Sequence, residues 1–171
     1  MLAEGDFVEI GVWKGKLSIV LAALASVRDR GERLACVDPF AGWNYVQDGY
    51  QPPPGDHPLT GPTYAHFNTN IHKAGVADGI DVFRTTSSEA VLSLNGRALS
   101  LVFVDGDHSY GAVKEDVENY LPLIVSGGYL VLDDVKNQAT KGPSKVNAEL
   151  KVRGDCLHVF ENDKISIFEK L

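Results

Sequence analysis

Phe7-Val8-Glu9-Ile10-Gly11-Val12-Trp13-Lys14-Gly15 decides the fold. Four residues of strand character, Phe7 to Ile10, run into two glycines, and then Leu17, Val20, Leu21 and Leu24 recur at helical spacing. A strand that turns through glycines into a helix lets the backbone approach a ligand closely. The helix N-terminus then offers free N–H groups to an anion. Spacing separates the candidate ligands. A dinucleotide loop uses three glycines as G-x-G-x-x-G, whereas here Gly11 and Gly15 stand alone and Glu9 precedes them. Lys14 and Lys16 are placed to meet a ligand carboxylate, and Ser18 adds a hydroxyl.

Outward from this loop the chain alternates β-rich runs with helical patterns. That order predicts a doubly wound, Rossmann-like α/β sheet in one domain spanning residues 1–171. Leu34 to Val37 reads as the second strand and ends at Asp38-Pro39. Thr63 to Lys73 reads as a helix, Ile80 to Arg84 as the third strand and Ser88 to Leu94 as a short helix. Leu99 to Val104 is the fourth strand. Val113, Val117, Tyr120, Leu121 and Ile124 form the apolar stripe of the next helix, with Gly127-Gly128 as its expected cap and Tyr129 to Leu132 as the fifth strand. A polar segment from Val135 to Lys145 leads into a further helix ending near Arg153. Cys156 to Phe160 and Lys164 to Phe168 are then read as an antiparallel hairpin around Glu161-Asn162-Asp163. Phe40 to Pro62 is long for a plain connection and reads equally as a lid or binding loop, with Trp43, Tyr45, Tyr50 and His57 available to stack on a ligand, or as an exposed variable loop whose aromatics pack on the core.

The acidic residues carry the chemistry. Asp38 ends the second strand, where a carboxylate accepts hydrogen bonds from ribose hydroxyls. Val102-Phe103-Val104-Asp105-Gly106-Asp107-His108 ends the fourth strand, and Asp133-Asp134 ends the fifth. Ligands of open α/β sheets bind outside the carboxyl ends of strands. If the two strands are neighbours, Asp105, Asp133 and Asp134 converge, and clustered carboxylates need a neutralising partner. Oxygen ligands alone favour Mg2+ or another hard divalent cation. Helix capping is the plainer role open to Asp107, Ser109 and Asp134. In Thr86-Ser87-Ser88, Ser87 and Ser88 are placed for adenine, and Ser87 is also a helix cap by type.

The totals limit the partners. The 171 residues carry 23 acidic and 16 basic side chains for a formal charge of −7, with 44% hydrophobic residues. An acidic chain without a basic stripe is poorly suited to nucleic acid or to an anionic membrane. A small-molecule partner is expected, with homo-oligomerisation open. Cys36 and Cys156 are expected to be buried thiols. Their scarcity, with no apolar run of spanning length and no signal-peptide pattern, points to the cytoplasm.

Together these stretches resemble class I S-adenosylmethionine-dependent methyltransferases, and in particular the metal-dependent macrocin-type and novobiocin-type sugar O-methyltransferases. Glu9 to Gly15 resembles their cofactor loop. Val102 to Tyr110, with Asp-Gly-Asp-His-Ser-Tyr, is the most specific match, and Gly127 to Asp134 supplies the aspartate pair. The resemblance implies cofactor contacts from Glu9, Gly11, Trp13, Gly15, Ser18, Asp38, Ser87, Ser88 and Asp105. It implies Mg2+ on Asp105, Asp133 and Asp134, with Asp107 or His108 as the base that deprotonates a hydroxyl acceptor. The resembling enzymes carry helices or a further domain before the first strand, whereas here that strand begins almost at Met1. Three other readings stand beside this one. A non-catalytic module of the same fold is one. The D-x-D phosphatases of the haloacid-dehalogenase type, matched by Asp105-Gly106-Asp107, are another, although they place that motif near the N-terminus. A dehydrogenase is the third and lacks its third glycine.

Overall fold

The computed structural model describes residues 3–41, 63–137 and 141–171. Among these, β1 (Asp6–Ile10), β2 (Leu34–Val37), β3 (Ile80–Phe83), β4 (Leu99–Val104), β5 (Ile124–Leu132), β6 (Cys156–Glu161) and β7 (Ser166–Lys170) form one sheet in the order β3-β2-β1-β4-β5-β7-β6. The first five strands run parallel, and β7 enters antiparallel between β5 and β6. Helices α1 (Lys16–Arg28), α2 (Tyr64–Lys73), α3 (Ser87–Leu94), α4 (Tyr110–Tyr120) and α5 (Gly142–Leu150) cover the two faces.

Side chains alternate across a strand, and this sorts the core into two layers. Phe7, Leu34 and Cys36 pack with Leu21, Ala22 and Ala25 of α1 and with Phe67 and Ile71 of α2. Val8, Ile10, Ala35, Val37, Val102 and Val104 face α3, α4 and α5. Glu9 shares the parity of Phe7, so alternation places it beneath α1 and on the face away from α3 and α4.

Three local expectations are corrected. The buried face of α1 is Ser18, Leu21, Ala22 and Ala25, while Val20 and Leu24 are 59% and 41% exposed. The small alanines, rather than the larger aliphatics, let the helix lie close to the sheet. The second correction concerns α4, which ends at Tyr120 and passes through a single 3-10 turn, Leu121–Leu123, straight into β5 at Ile124. Gly127-Gly128 therefore lies inside a strand and caps no helix. The pairing jumps there from Leu99↔Ile124 to Leu101↔Tyr129, and Gly127 absorbs the irregularity at φ +77°. Third, Thr86, not Ser87, is the N-cap of α3, its hydroxyl accepting from the Glu89 N–H at 3.3 Å.

The C-terminal hairpin forms as expected, but its second strand begins at Ser166 and leaves Lys164 in the turn. Asn162 Oδ1 closes that turn by accepting from the N–H groups of Lys164 and Ile165, each at 2.8 Å. At the opposite end of the sheet, Asp81 takes Arg33 at 2.7 Å and Arg97 at 2.9 Å, and Arg97 also reaches Asp6 at 3.3 Å. Both cysteines are free and buried. Among the described residues no helix is long and apolar enough to cross a membrane. The expected lid and its four ring-bearing side chains lie outside the described residues from position 42 onward.

Candidate active site

Ile10, Val104 and Leu132 sit side by side in the parallel ladder, so whatever follows each strand emerges at one end of the sheet. Asp105 N–H donates to Ile10 O at 2.8 Å and Asp133 N–H to Val104 O at 3.0 Å. Each aspartate is thus the first residue past its strand, and β4 and β5 are neighbours, the condition on which convergence of the acids depended. The glycine loop crosses directly above. Gly11 adopts φ +82°, and a Cβ there would lie 2.0 Å from Asp105 O. Gly15 adopts φ +80°, and its Cβ would meet Phe67 at 2.7 Å. Gly11 therefore sets the approach of loop to strand, and Gly15 the approach of α1 to α2.

Asp38 holds the loop in place. Its Oδ2 accepts from Val12 N–H and Trp13 N–H, both at 2.8 Å, and its Oδ1 accepts from Phe40 N–H at 2.5 Å. A carboxylate offers about four lone-pair sites, so three backbone donors leave room for one further hydroxyl. Trp13 is held at φ +51° and stays 43% exposed at the mouth of the site, with Lys14 Nζ 4.7 Å from its ring centre.

Beneath the loop opens a cleft of about 620 Å³. Gly11, Trp13, Asp38, Ser87, Ser88 and Asp105 line it from the cofactor set, and Asp107 and His108 line it from the catalytic set. Glu9, Gly15 and Ser18 do not. Glu9 is 2% exposed and accepts a 2.5 Å hydrogen bond from Ser18 Oγ, with Cys36 Sγ at 3.9 Å. Removal from water pushes the Glu9 carboxyl up to about 8, against the Ser18 bond that favours its charged form and with the charges of Asp105 and Asp38 adding to the rise.

The acids meet around His108. Its Nε2 lies 3.3 Å from Asp105 Oδ1 and its Nδ1 3.6 Å from Asp134 Oδ2. Burial alone draws the imidazole down, but the Asp105 hydrogen bond and the charges of Asp105, Asp134 and Asp133 outweigh it and hold His108 above the ordinary histidine value. Asp134 reaches this position through a left-handed backbone, φ +54°, a costly conformation for a non-glycine residue. Ser109 caps α4 by accepting from Ala112 N–H at 3.3 Å, and Asp107 Oδ1 accepts from Ser109 N–H at 2.7 Å.

Two residues were not singled out from the sequence. Asp116 of α4 lines the cleft and is 2% exposed. Burial raises its carboxyl to about 6, against a hydrogen bond with Ser87. Its signal was present, since Asp116 falls on the stripe of Val113, Val117 and Tyr120. Lys164 is the other. Its Nζ sits 2.7 Å from Asp133 Oδ2 and 3.6 Å from Asp134 Oδ1. The three aspartates have the donor chemistry of a hard-cation site. Their arrangement does not fit one, because the ammonium and the imidazole stand among the carboxylates. Among the described residues no group of three or more acidic, histidine or cysteine side chains is set to hold a metal ion.

A doubly wound parallel sheet closed by an antiparallel hairpin, with a glycine loop over the carboxyl ends of β1 and β4, is the class I methyltransferase fold. Solved structures agree. The O-methyltransferase NovP superposes with a TM-score of 0.74 at 19% identity, over 98% of this chain and 72% of its own. Cofactor-bound Rv0187 from MTB superposes with a TM-score of 0.72 at 18% identity, over 96% and 72%. The O-methyltransferase TomG from Streptomyces achromogenes, in complex with SAM, gives 0.70 at 18%, again over 96% and 72%. The sequence profile of the methyltransferase-domain family Methyltransf_24 matches residues 8–135, and the chain belongs to that family. A curated relative, uncharacterized protein R132 of Acanthamoeba polyphaga mimivirus, is 28% identical over 102 residues, 54% of this chain and 44% of its own length. The chain thus spans less than half of that relative.

Proposed function

We propose that this domain transfers the methyl group of S-adenosylmethionine to a hydroxyl oxygen of a small molecule. One observation carries the proposal: a single cleft has the Asp38-braced glycine loop on one side and His108, gripped by Asp105, on the other. The loop and the remaining Asp38 lone pair suit a nucleoside with a charged tail. Ser87, Ser88 and the buried Asp116 supply polar contacts deeper in the cleft. The acidic charge of the chain favours a small neutral acceptor over a nucleic acid. The cofactor-bound state of Rv0187 and the SAM complex of TomG support the choice of donor, and NovP supports oxygen as the acceptor atom.

In the proposed reaction the donor methyl carbon passes in line from sulfur to the hydroxyl oxygen, and the hydroxyl proton passes to a base. The C–S bond breaks with its electron pair left on sulfur, and S-adenosylhomocysteine is the leaving group. His108 is the better placed of the two bases. Asp105 and Asp134 bracket its ring and would stabilise the imidazolium that forms, in the manner of an orienting acid beside a catalytic histidine. Asp107 is committed through Oδ1 to the turn before α4. As the side chains stand, Lys164 rather than a divalent ion answers the carboxylates of Asp133 and Asp134.

Calorimetric titration with S-adenosylhomocysteine, followed by transfer of labelled methyl to a panel of hydroxylated acceptors, tests this function. Saturable binding is expected, weakened about tenfold or more in Asp38→Ala by loss of charge-assisted contacts. A drop in transfer of about 10²- to 10⁴-fold is expected in His108→Ala with the nucleoside still bound. No binding of donor or product at millimolar concentration would sink the proposal.

A further inference from the structure

We infer that Lys164 is the resident cation of the Asp105–Asp133–Asp134 cluster, an ammonium standing where the resembling enzymes are expected to hold a divalent ion. Clustered carboxylates need a counter-charge, and here the need is specific. Asp133 is 3% exposed, and its Oδ1 has no hydrogen-bond donor among the described residues. Its charge also pushes the Asp105 carboxyl up, which marks the two acids as close neighbours. Such a pair is held either by a retained proton or by positive charge at hand. Lys164 Nζ supplies it at 2.7 Å from Asp133 Oδ2 and 3.6 Å from Asp134 Oδ1.

The main chain delivers this lysine. Val135 N–H donates to Lys164 O at 3.0 Å, tying the segment after Asp134 to the hairpin turn. Asn162 Oδ1 fixes the turn from the other side, and Leu132 pairs with Ser166 just below. The backbone N–H and C=O of Lys164 are therefore both tied down beside the cluster. Its side chain is nevertheless 66% exposed, so the ammonium can leave without disturbing the core. A hard divalent ion sits about 2.0–2.6 Å from its oxygen ligands. An ion on Asp133 would then press directly against an ammonium on the same carboxylate. Ion and lysine are alternatives.

The inference names the cation of the proposed active site and rests on that assignment only for its context. Metal binding is read without turnover, so its failure and a failure of methyl transfer are separate results. Mn2+ is titrated into the full chain and free ion is followed by electron paramagnetic resonance, for wild type, Lys164→Met, and Lys164→Met with Asp133→Asn. Thermal unfolding of each with and without Mn2+ is the second readout. Wild type is expected to leave Mn2+ free to about 1 mM. Lys164→Met is expected to bind one ion about tenfold more tightly or better, to lose it again in the double variant, and to melt higher with Mn2+ by mass action. If Lys164→Met is unfolded at the assay temperature, refolding on addition of Mn2+ supports the inference and no refolding overturns it. Mn2+ bound as tightly by wild type as by Lys164→Met overturns it. So does a folded Lys164→Met that binds none.

Discussion

Glu9→Gln should make the protein less sensitive to alkaline pH. Glu9 lies under α1 at 2% exposure, and burial pushes its carboxyl from 4.5 to about 8. In the unfolded chain the same group ionises at its ordinary value. Between those two values the folded state keeps a proton that the unfolded chain has released. Stability is fully present below 4.5 and is lost as pH rises toward 8, at about 1.4 kcal/mol per pH unit. From pH 6 to pH 8 the wild type should therefore lose about 2 kcal/mol that Glu9→Gln, with nothing to ionise there, keeps; the slope eases near pH 8 as the folded group ionises. Gln preserves an oxygen to accept from Ser18, so the packing is little altered. Urea unfolding of both proteins, without ligand, at pH 6, 7 and 8 gives the difference at each pH. The reasoning fails if the gap between variant and wild type stays within about 0.5 kcal/mol over that range, or closes instead of widening.

Two further predictions concern the backbone and the thiols. Gly11→Ala and Gly96→Ala both force a side chain onto positive φ, +82° and +89°, but only at Gly11 does the new Cβ strike main chain, 2.0 Å from Asp105 O, while at Gly96 nothing lies within 4 Å. Gly96→Ala should cost about 1–2 kcal/mol in urea unfolding and Gly11→Ala at least about 3 kcal/mol with loss of nucleoside binding; equal costs would refute the close crossing. Burial pushes both the Cys36 and Cys156 thiols up, with the neighbouring Glu9 adding at Cys36, so a thiol reagent at pH 8 should label neither in the native protein and both in urea, and rapid native labelling would contradict the buried placement.

The strand-glycine-helix stretch at Phe7 to Gly15 and the acids at strand ends were legible because they follow from local rules. A short β-rich run bounded by glycine or an acid marks a strand, and an acid just past it must emerge at the end of the sheet. What escaped depended on tertiary partners. Gly127-Gly128 has the composition of a helix cap, yet β5 starts at Ile124 and uses the glycines to pass an irregular register against β4. Val20 and Leu24 follow helical spacing, but the sheet accepts the smaller alanine face of α1. Glu9 is expected among the cofactor contacts from its place in the motif, while its parity with Phe7 turns it away from the cleft. Lys164 is 31 residues from Asp133 in sequence, and only the insertion of β7 beside β5 brings the two together.

The clasp of Asp6, Arg33, Asp81 and Arg97 joins residues within two positions of the starts of β1, β2, β3 and β4. The glycine loop, Asp38, Asp105 and His108 all follow strand ends on the cleft side. The two sets are therefore separated by the length of the sheet, and substitutions in one share no partner with the other. Effects of changes at sites so separated add independently. For this chain that means heredity can rewrite its chemistry piecemeal: new contacts for a new acceptor can accumulate at one rim while the ionic fastening at the other rim keeps the strands in register.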